Sequence, residues 1–468
     1  MSTTEPAGRT TSEDSAFEPP DPLRRAVADS AMTRFQWLVV ALCLVINALD
    51  GFDVQVMSFT ANAVTTEWGL TSSELGLLLS AGLIGVGAGS LFIAPWADRV
   101  GRRPLIIGAA AVAGIGMLLS GLAESPLQLG LLRGLTGLGI GAIITTNIVM
   151  AGEYASRRWH GMAVSLTSVG YPAGAIVGGI LSVELIDGTG WRSVFLVGGV
   201  ATLAVTVLAS FRLPESLDYL LARQPRDALA RANRMARRLG HAELTQLPPL
   251  TARPGVLSGF RTLFAPALRR STLLIWAAFF LILAGFYFVS SWTPQLLVKA
   301  GLSPAVGISG GVLLSVGGIF GALILGALLT RFRLRNVVFG YIILAAVMMA
   351  IFLSTTSSLT AALCIAAIIG LLLNGCVTGL YALVSAIYGP GVRSTAMGSS
   401  VGVGRIGAII APIVAGTLLD AHWTANELYI ASAVVFVVAG GLLLCVRGAN
   451  LRPVRMAGGR QQPVPAAD

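Results

Sequence analysis

An all-α membrane protein of twelve spanning helices in two six-helix bundles is the fold class that the sequence predicts. Three observations carry that prediction. Of the 468 residues, 55% are hydrophobic and only 12% are charged, whereas soluble globular domains average about 25% charged residues. Apolar runs long enough to cross a bilayer recur along almost the whole chain. A stretch in the second half of the chain repeats the glycine and arginine spacing of a stretch in the first half.

The chain opens on a polar tail, residues 1–34, rich in Ser, Thr, Pro and Glu and expected to be disordered, with no cleavable leader. Spans are expected at about 36–60, 72–94, 104–123, 127–150, 161–186 and 193–211, which make a first bundle over 35–211. Six more, at about 272–297, 305–329, 336–356, 360–388, 395–419 and 427–446, make a second over 272–446. The segment between them, 212–271, reads as a cytoplasmic linker. Within it "PRDALARANRMARRLG" can form a basic amphipathic helix lying on the membrane surface, or a charged linker helix without a partner. A polar tail, 447–468, closes the chain.

An even number of spans puts both ends on one side. The loops and tails on that side carry 28 of the 32 basic residues, and the opposite loops carry only Arg192 and Lys299. By the positive-inside rule both termini are cytoplasmic. The net charge of +10 is therefore a topology signal, not a sign of nucleic-acid binding. Cys43, Cys364, Cys376 and Cys445 lie in apolar spans without metal-ligand spacing and read as reduced packing residues. His160, His241 and His422 read as solvated surface residues. No metal site, phosphate-cradling loop or cofactor is expected.

The repeat aligns residues 85–108 with 317–340 without a gap: Gly85 meets Gly317, Gly89 meets Gly321, Arg99 meets Arg331, Arg103 meets Arg335 and Gly108 meets Gly340. Two parallel six-helix repeats are what a rocking transporter needs, with its site between them at mid-membrane.

Four charges lie away from the span ends: Asp50 and Asp53 in "NALDGFDVQVMSF", Arg133, and Arg405. An ionised acid at the bilayer centre costs roughly 2.5–3.5 kcal/mol, so such residues read as functional by default. Asp50 and Asp53 share a helix face and suggest a coupled proton site, with Gly51 letting the backbone deform between them. The competing reading pairs one of them with a structural arginine. Arg405, flanked by Gly404 and Gly407, can grip a carboxylate with two parallel hydrogen bonds, or pair with Asp50 or Asp53.

"PWADRVGRRP" resembles the signature loop of the major facilitator superfamily, Gly-x-x-x-Asp-Arg-x-Gly-Arg-Arg, with Ala94 at the first glycine. The second copy, "GALLTRFRLR", has Thr330 where the first has Asp98. "RGLTGLGIG", 133–141, and "LPESLDYL", 213–220, also resemble superfamily motifs. "DGFDVQ", "FYFVSSWTPQLL" and "GVRSTAMGSSVGVGRIGAIIAP" are similar to stretches of its aromatic acid:proton symporters. "GMAVSLTSVGYPAGAIVGG", 161–179, nearly reproduces the antiporter glycine pattern, although its proline stands at 172 and Ala175 takes the expected place. Those glycines fit close helix packing equally.

The resemblance implies a major facilitator fold in the bacterial cytoplasmic membrane and a monomer. The implied activity is import of a benzoate- or hydroxybenzoate-type carboxylate with protons, by alternating access. Asp50 and Asp53 would couple protons, and Arg405 would hold the substrate carboxylate. Phe286, Tyr287, Tyr171, Trp292, Asn374 and Tyr381 are candidates for the cavity wall, each of which can also be plain packing. Asp98, Arg99, Gly101, Arg102 and Arg103, with Glu153 joining through Arg102 or Arg157, would form the latch between the halves. Arg133 would serve helix packing or proton relay. The alternatives are a proton-coupled exporter of drugs or metabolites, an importer of another organic acid, and a receptor for aromatic compounds. No nucleophile–base set suggests an enzyme.

Overall fold

The computed structural model describes residues 22–248, 256–266, 268–355 and 358–446. Twelve of its helices are long and apolar enough to cross a membrane. The first half holds α1 (Arg34–Trp68), α2 (Ser72–Ala88), α3 (Arg102–Ser120), α4 (Pro126–Tyr154), α5 (His160–Thr189) and α6 (Trp191–Arg212). The second holds α7 (Arg269–Lys299), α8 (Pro304–Leu329), α9 (Leu334–Phe352), α10 (Leu359–Ile387), α11 (Pro390–Asp420) and α12 (Ala425–Leu444). The span begun by α2 runs on to Val100 through a π-helical stretch, Gly89–Ile93, and a tight turn at Ala94–Trp96.

Local chemistry sets the helix ends. Thr33 and Gln36 form a reciprocal cap at the start of α1, as Thr71 and Glu74 do for α2 and Thr424 and Glu427 for α12. The first span ends at Trp68 rather than near residue 60. Its last two turns are polar, so hydropathy did not register them, and nothing breaks the helix until Gly69 adopts φ 62°.

Glycines bring the helices together backbone to backbone. Gly85 and Gly89 of α2 sit against the carbonyls of Gly134 and Leu138 on α4, and Gly137 of α4 sits against that of Gly82. The second half repeats these crossings: Gly317 and Gly321 of α8 meet the carbonyls of Ala367 and Leu371 on α10, and Gly370 meets that of Leu314. The α5 crossing over Ala48 of α1 at Gly174 recurs where Gly407 of α11 meets the Phe280 carbonyl of α7. A Cβ at any of these positions would drive the pair apart. The repeat in the sequence is thus a repeat of helix crossings.

The halves meet through α2 with α11, α5 with α8, and α1 with α7. Ser58 donates to the carbonyls of Ser290 (3.1 Å) and Ser291 (2.7 Å), and Ser80 donates to Ile409 at 2.8 Å. The backbone N–H groups of Ser72 and Ser73 donate to Asp420. All of these lie from mid-depth toward the end opposite the termini.

The end that bears the termini carries a collar whose described contacts are with the first half. Part of the tail expected to be disordered is helical, Pro22–Asp29, while residues 1–21 and the closing tail 447–468 lie outside the described residues. Leu23 and Val27 of that helix share a buried cluster with Val39, Leu213, Leu217 and Leu221. The predicted linker helix forms over Ala228–Leu239, and its apolar face (Ala232, Met235, Ala236, Leu239) joins the same cluster. Its partner is the protein rather than the membrane surface, because its alanines fit closely against neighbouring side chains. An ion pair between Arg24 and Asp218, and a bond from the Arg157 N–H to the Ala28 carbonyl at 2.7 Å, tie the collar down.

Candidate functional site

Asp50 and Asp53 lie on α1 where it crosses α5 and α4, and both are buried. Gly51 makes this approach possible, since a Cβ there would overlap the backbone of Tyr171. Residues three apart on a helix differ in direction by about 60°, and that angle gives the two acids different surroundings. Asp53 faces α4 and forms an ion pair with Arg133, which also donates to the Asp53 carbonyl at 2.8 Å. The guanidinium lies 5.7 Å from the centre of the Phe195 ring, a contact that the sequence did not suggest. Asp50 has no ion pair among the described residues, and its Oδ2 is buried without a hydrogen-bond partner.

Around Asp50 stands a polar cluster drawn from both halves. Tyr171 of α5 is within electrostatic reach of Asp50, Tyr287 and Arg405. Tyr381 of α10 is within reach of Tyr287 and Arg405. Arg405 is half-buried, and among the described residues no carboxylate lies within ion-pair distance of it. The rings of Phe286 and Tyr287 pack edge to face at 5.3 Å, and Tyr381 lies 5.9 Å from Phe279. Asn374 fills the space over Gly318.

Trp292 stands apart from this group and is a correction to the expected cavity wall. It is 0% exposed, and its indole N–H donates to the Pro412 carbonyl at 3.1 Å, so it packs α7 on α11.

The signature loop lies at the end bearing the termini. Gly101 has φ 105°, and the carboxylate of Glu215 occupies the space where a side chain would stand. That carboxylate accepts the backbone N–H groups of Arg102 (2.9 Å), Arg103 (3.1 Å) and Ser216 (2.9 Å), capping α3. Arg102 forms an ion pair with Glu153, which also accepts from the Ser216 hydroxyl at 2.6 Å. Arg103 donates to the Ser210 carbonyl. The Asp98 and Arg99 side chains are exposed, and their carbonyls accept from Arg223 and Tyr219. These contacts bind the loop to the first half. Glu215 was visible in the "LPESLDYL" motif, but its role depends on a partner more than a hundred residues away.

Three of the helix 5 glycines pack against α1. Gly170 and Gly174 meet the backbone of α1 at Leu44 and Ala48, and Gly178 meets the ring of Phe52.

Two bundles built on the same crossings, meeting around buried charges at mid-depth, define a multi-pass membrane transporter rather than an enzyme. The chain belongs to the Major Facilitator Superfamily, whose family model matches residues 43–412. Over 421 residues it is 31% identical to the 4-hydroxybenzoate transporter PcaK of Pseudomonas aeruginosa, an alignment spanning 88% of this chain and 93% of that one. It is 33% identical over 393 residues to a gallate transporter of Pseudomonas putida, covering 82% and 86% of the two chains. The fold is similar to the inward-open xylose transporter XylE from E. coli, with a TM-score of 0.69, 15% identity, and coverage of 88% and 96%.

Proposed function

We propose that the protein imports a small aromatic carboxylate together with protons across the bacterial inner membrane, by alternating access of its two halves, with both termini cytoplasmic. The relatives named above carry hydroxylated benzoates, and the 28-to-2 division of basic residues supports the orientation. The observation that carries the coupling is the unequal fate of the two acids. Asp53 is held by Arg133, whereas Asp50 keeps a buried oxygen without a partner beside Tyr171, which is itself within reach of Arg405. Asp50 is then the proton carrier, and the Asp53–Arg133 pair holds α1 against α4 around it. Arg405, on the opposite half, takes the substrate carboxylate, with Tyr171, Tyr287 and Tyr381 around the ring. Substrate binding alone shifts no conformational equilibrium unless the two states bind it differently, so the proton on Asp50 supplies the difference.

Proteoliposomes test this directly. Radiolabelled 4-hydroxybenzoate should accumulate when the outside is acidified. Asp50→Asn should abolish accumulation but leave counterflow, and Arg405→Ala should raise the substrate concentration needed for half-maximal counterflow at least tenfold. Accumulation by Asp50→Asn at the wild-type level would end the coupling scheme. Export was favoured by the helix 5 glycines, of which Gly170, Gly174 and Gly178 are engaged in packing against α1.

A further inference from the structure

We propose that Asp420 is a latch that closes the transporter at the end opposite its termini. The inference rests on the alternating-access reading. A helix begins with four backbone N–H groups that have no partner within it. At the start of α2, two of these are satisfied locally: Thr71 N–H by Glu74 at 2.9 Å, and Glu74 N–H by the Thr71 hydroxyl at 3.2 Å. The other two are satisfied from the opposite half of the molecule. Asp420, the last residue of α11, accepts Ser72 N–H on Oδ1 at 2.9 Å and Ser73 N–H on Oδ2 at 2.8 Å. A carboxylate gripping a helix N-terminus with both oxygens gains from the charge-assisted bonds and from the helix dipole.

The surrounding packing is built for this contact. Gly416, one turn before Asp420, sits against the Ser72 carbonyl, and Gly76, one turn into α2, sits against the Pro412 carbonyl. A side chain at either glycine would hold α2 and α11 too far apart for the carboxylate to reach. Lys299, at the end of α7, donates to the Ser72 hydroxyl at 3.0 Å from the same side. Asp420 and the first residues of α2 are exposed or half-buried, so water can replace the carboxylate when the halves part. Opening therefore leaves no buried donor unsatisfied, as a reversible gate requires. The polar contacts described above for the signature loop at the other end lie within the first half, so among the described residues the polar contacts between halves favour closure at the Asp420 end.

The test is a distance measurement on the full chain in lipid nanodiscs. Spin labels go on Glu124→Cys in the first half and Asn426→Cys in the second, with the four native cysteines replaced. Wild type should show a short and a long separation whose ratio changes with added 4-hydroxybenzoate and pH. Asp420→Ala should shift that ratio toward the long separation by about tenfold or more. Ser72→Pro should shift it the same way, because proline is favoured at the first position of a helix and removes that N–H together with the hydroxyl that Lys299 meets. Ser72→Ala keeps the N–H and should change the ratio far less. Two separations in wild type that ignore Asp420→Ala and Ser72→Pro would overturn the latch and leave alternating access standing. A single separation under every condition would overturn both.

Discussion

The Asp53–Arg133 pair makes a quantitative demand on stability. Both residues are 2% exposed, and each is the other's charge partner. Removing one member of such a pair leaves an uncompensated buried charge, which costs about 3–5 kcal/mol, whereas replacing both with apolar groups of similar size is often neutral. Arg133→Leu also forfeits the bond to the Asp53 carbonyl and the contact with Phe195, so it should be the more damaging single change. Asp53→Leu strands a guanidinium whose Nε and Nη1 already lack partners, and should cost nearly as much. The double variant should recover most of the loss, leaving a coupling energy of at least about 2 kcal/mol. Denaturant titration in mixed micelles, followed by tryptophan fluorescence, gives all four corners of the cycle. Single changes that leave the midpoint in place, or costs that simply add in the double variant, would refute the assignment of a closed buried pair.

Two further outcomes are expected. Gly174→Ala places a Cβ against the Ala48 carbonyl and should lower the yield of detergent-stable protein sharply, while Gly161→Ala, with nothing within 4 Å, should match wild type in size-exclusion profile and melting temperature. Glu215→Ala removes the acceptor for three backbone N–H groups and should lower stability by about 0.5–2 kcal/mol in thermal melts, with substrate affinity in a binding assay unchanged.

The architecture was legible because each of its signals is local in the chain. Apolar run length marks the spans, and the repeated glycines mark both halves, since those glycines are where backbones touch. The charges inside the spans were legible as well, because an acid in an apolar run is conspicuous by composition alone. Their division of labour was not. Whether Asp50 or Asp53 meets Arg133 depends on the rotation of α1 by about 60°, and no sequence period fixes that phase. The same phase decides that Trp292 packs against α11 while Tyr287, five residues earlier on α7, reaches Tyr171 and Tyr381. Asp420 escaped notice for another reason: an acid at the end of a span looks like ordinary loop polarity until the start of α2 is brought to it.

The collar at the end bearing the termini has a practical meaning. Among the described residues, helices Pro22–Asp29 and Ala228–Leu239 are anchored on the first bundle, through Leu23, Val27, Ala232 and Met235 and the Arg24–Asp218 pair. A fluorophore or antibody epitope placed there reports the tilt of that bundle, not an average over the molecule. Paired with a reporter on the exposed start of α12, it turns the rocking of one bundle against the other into a signal that can be followed in real time.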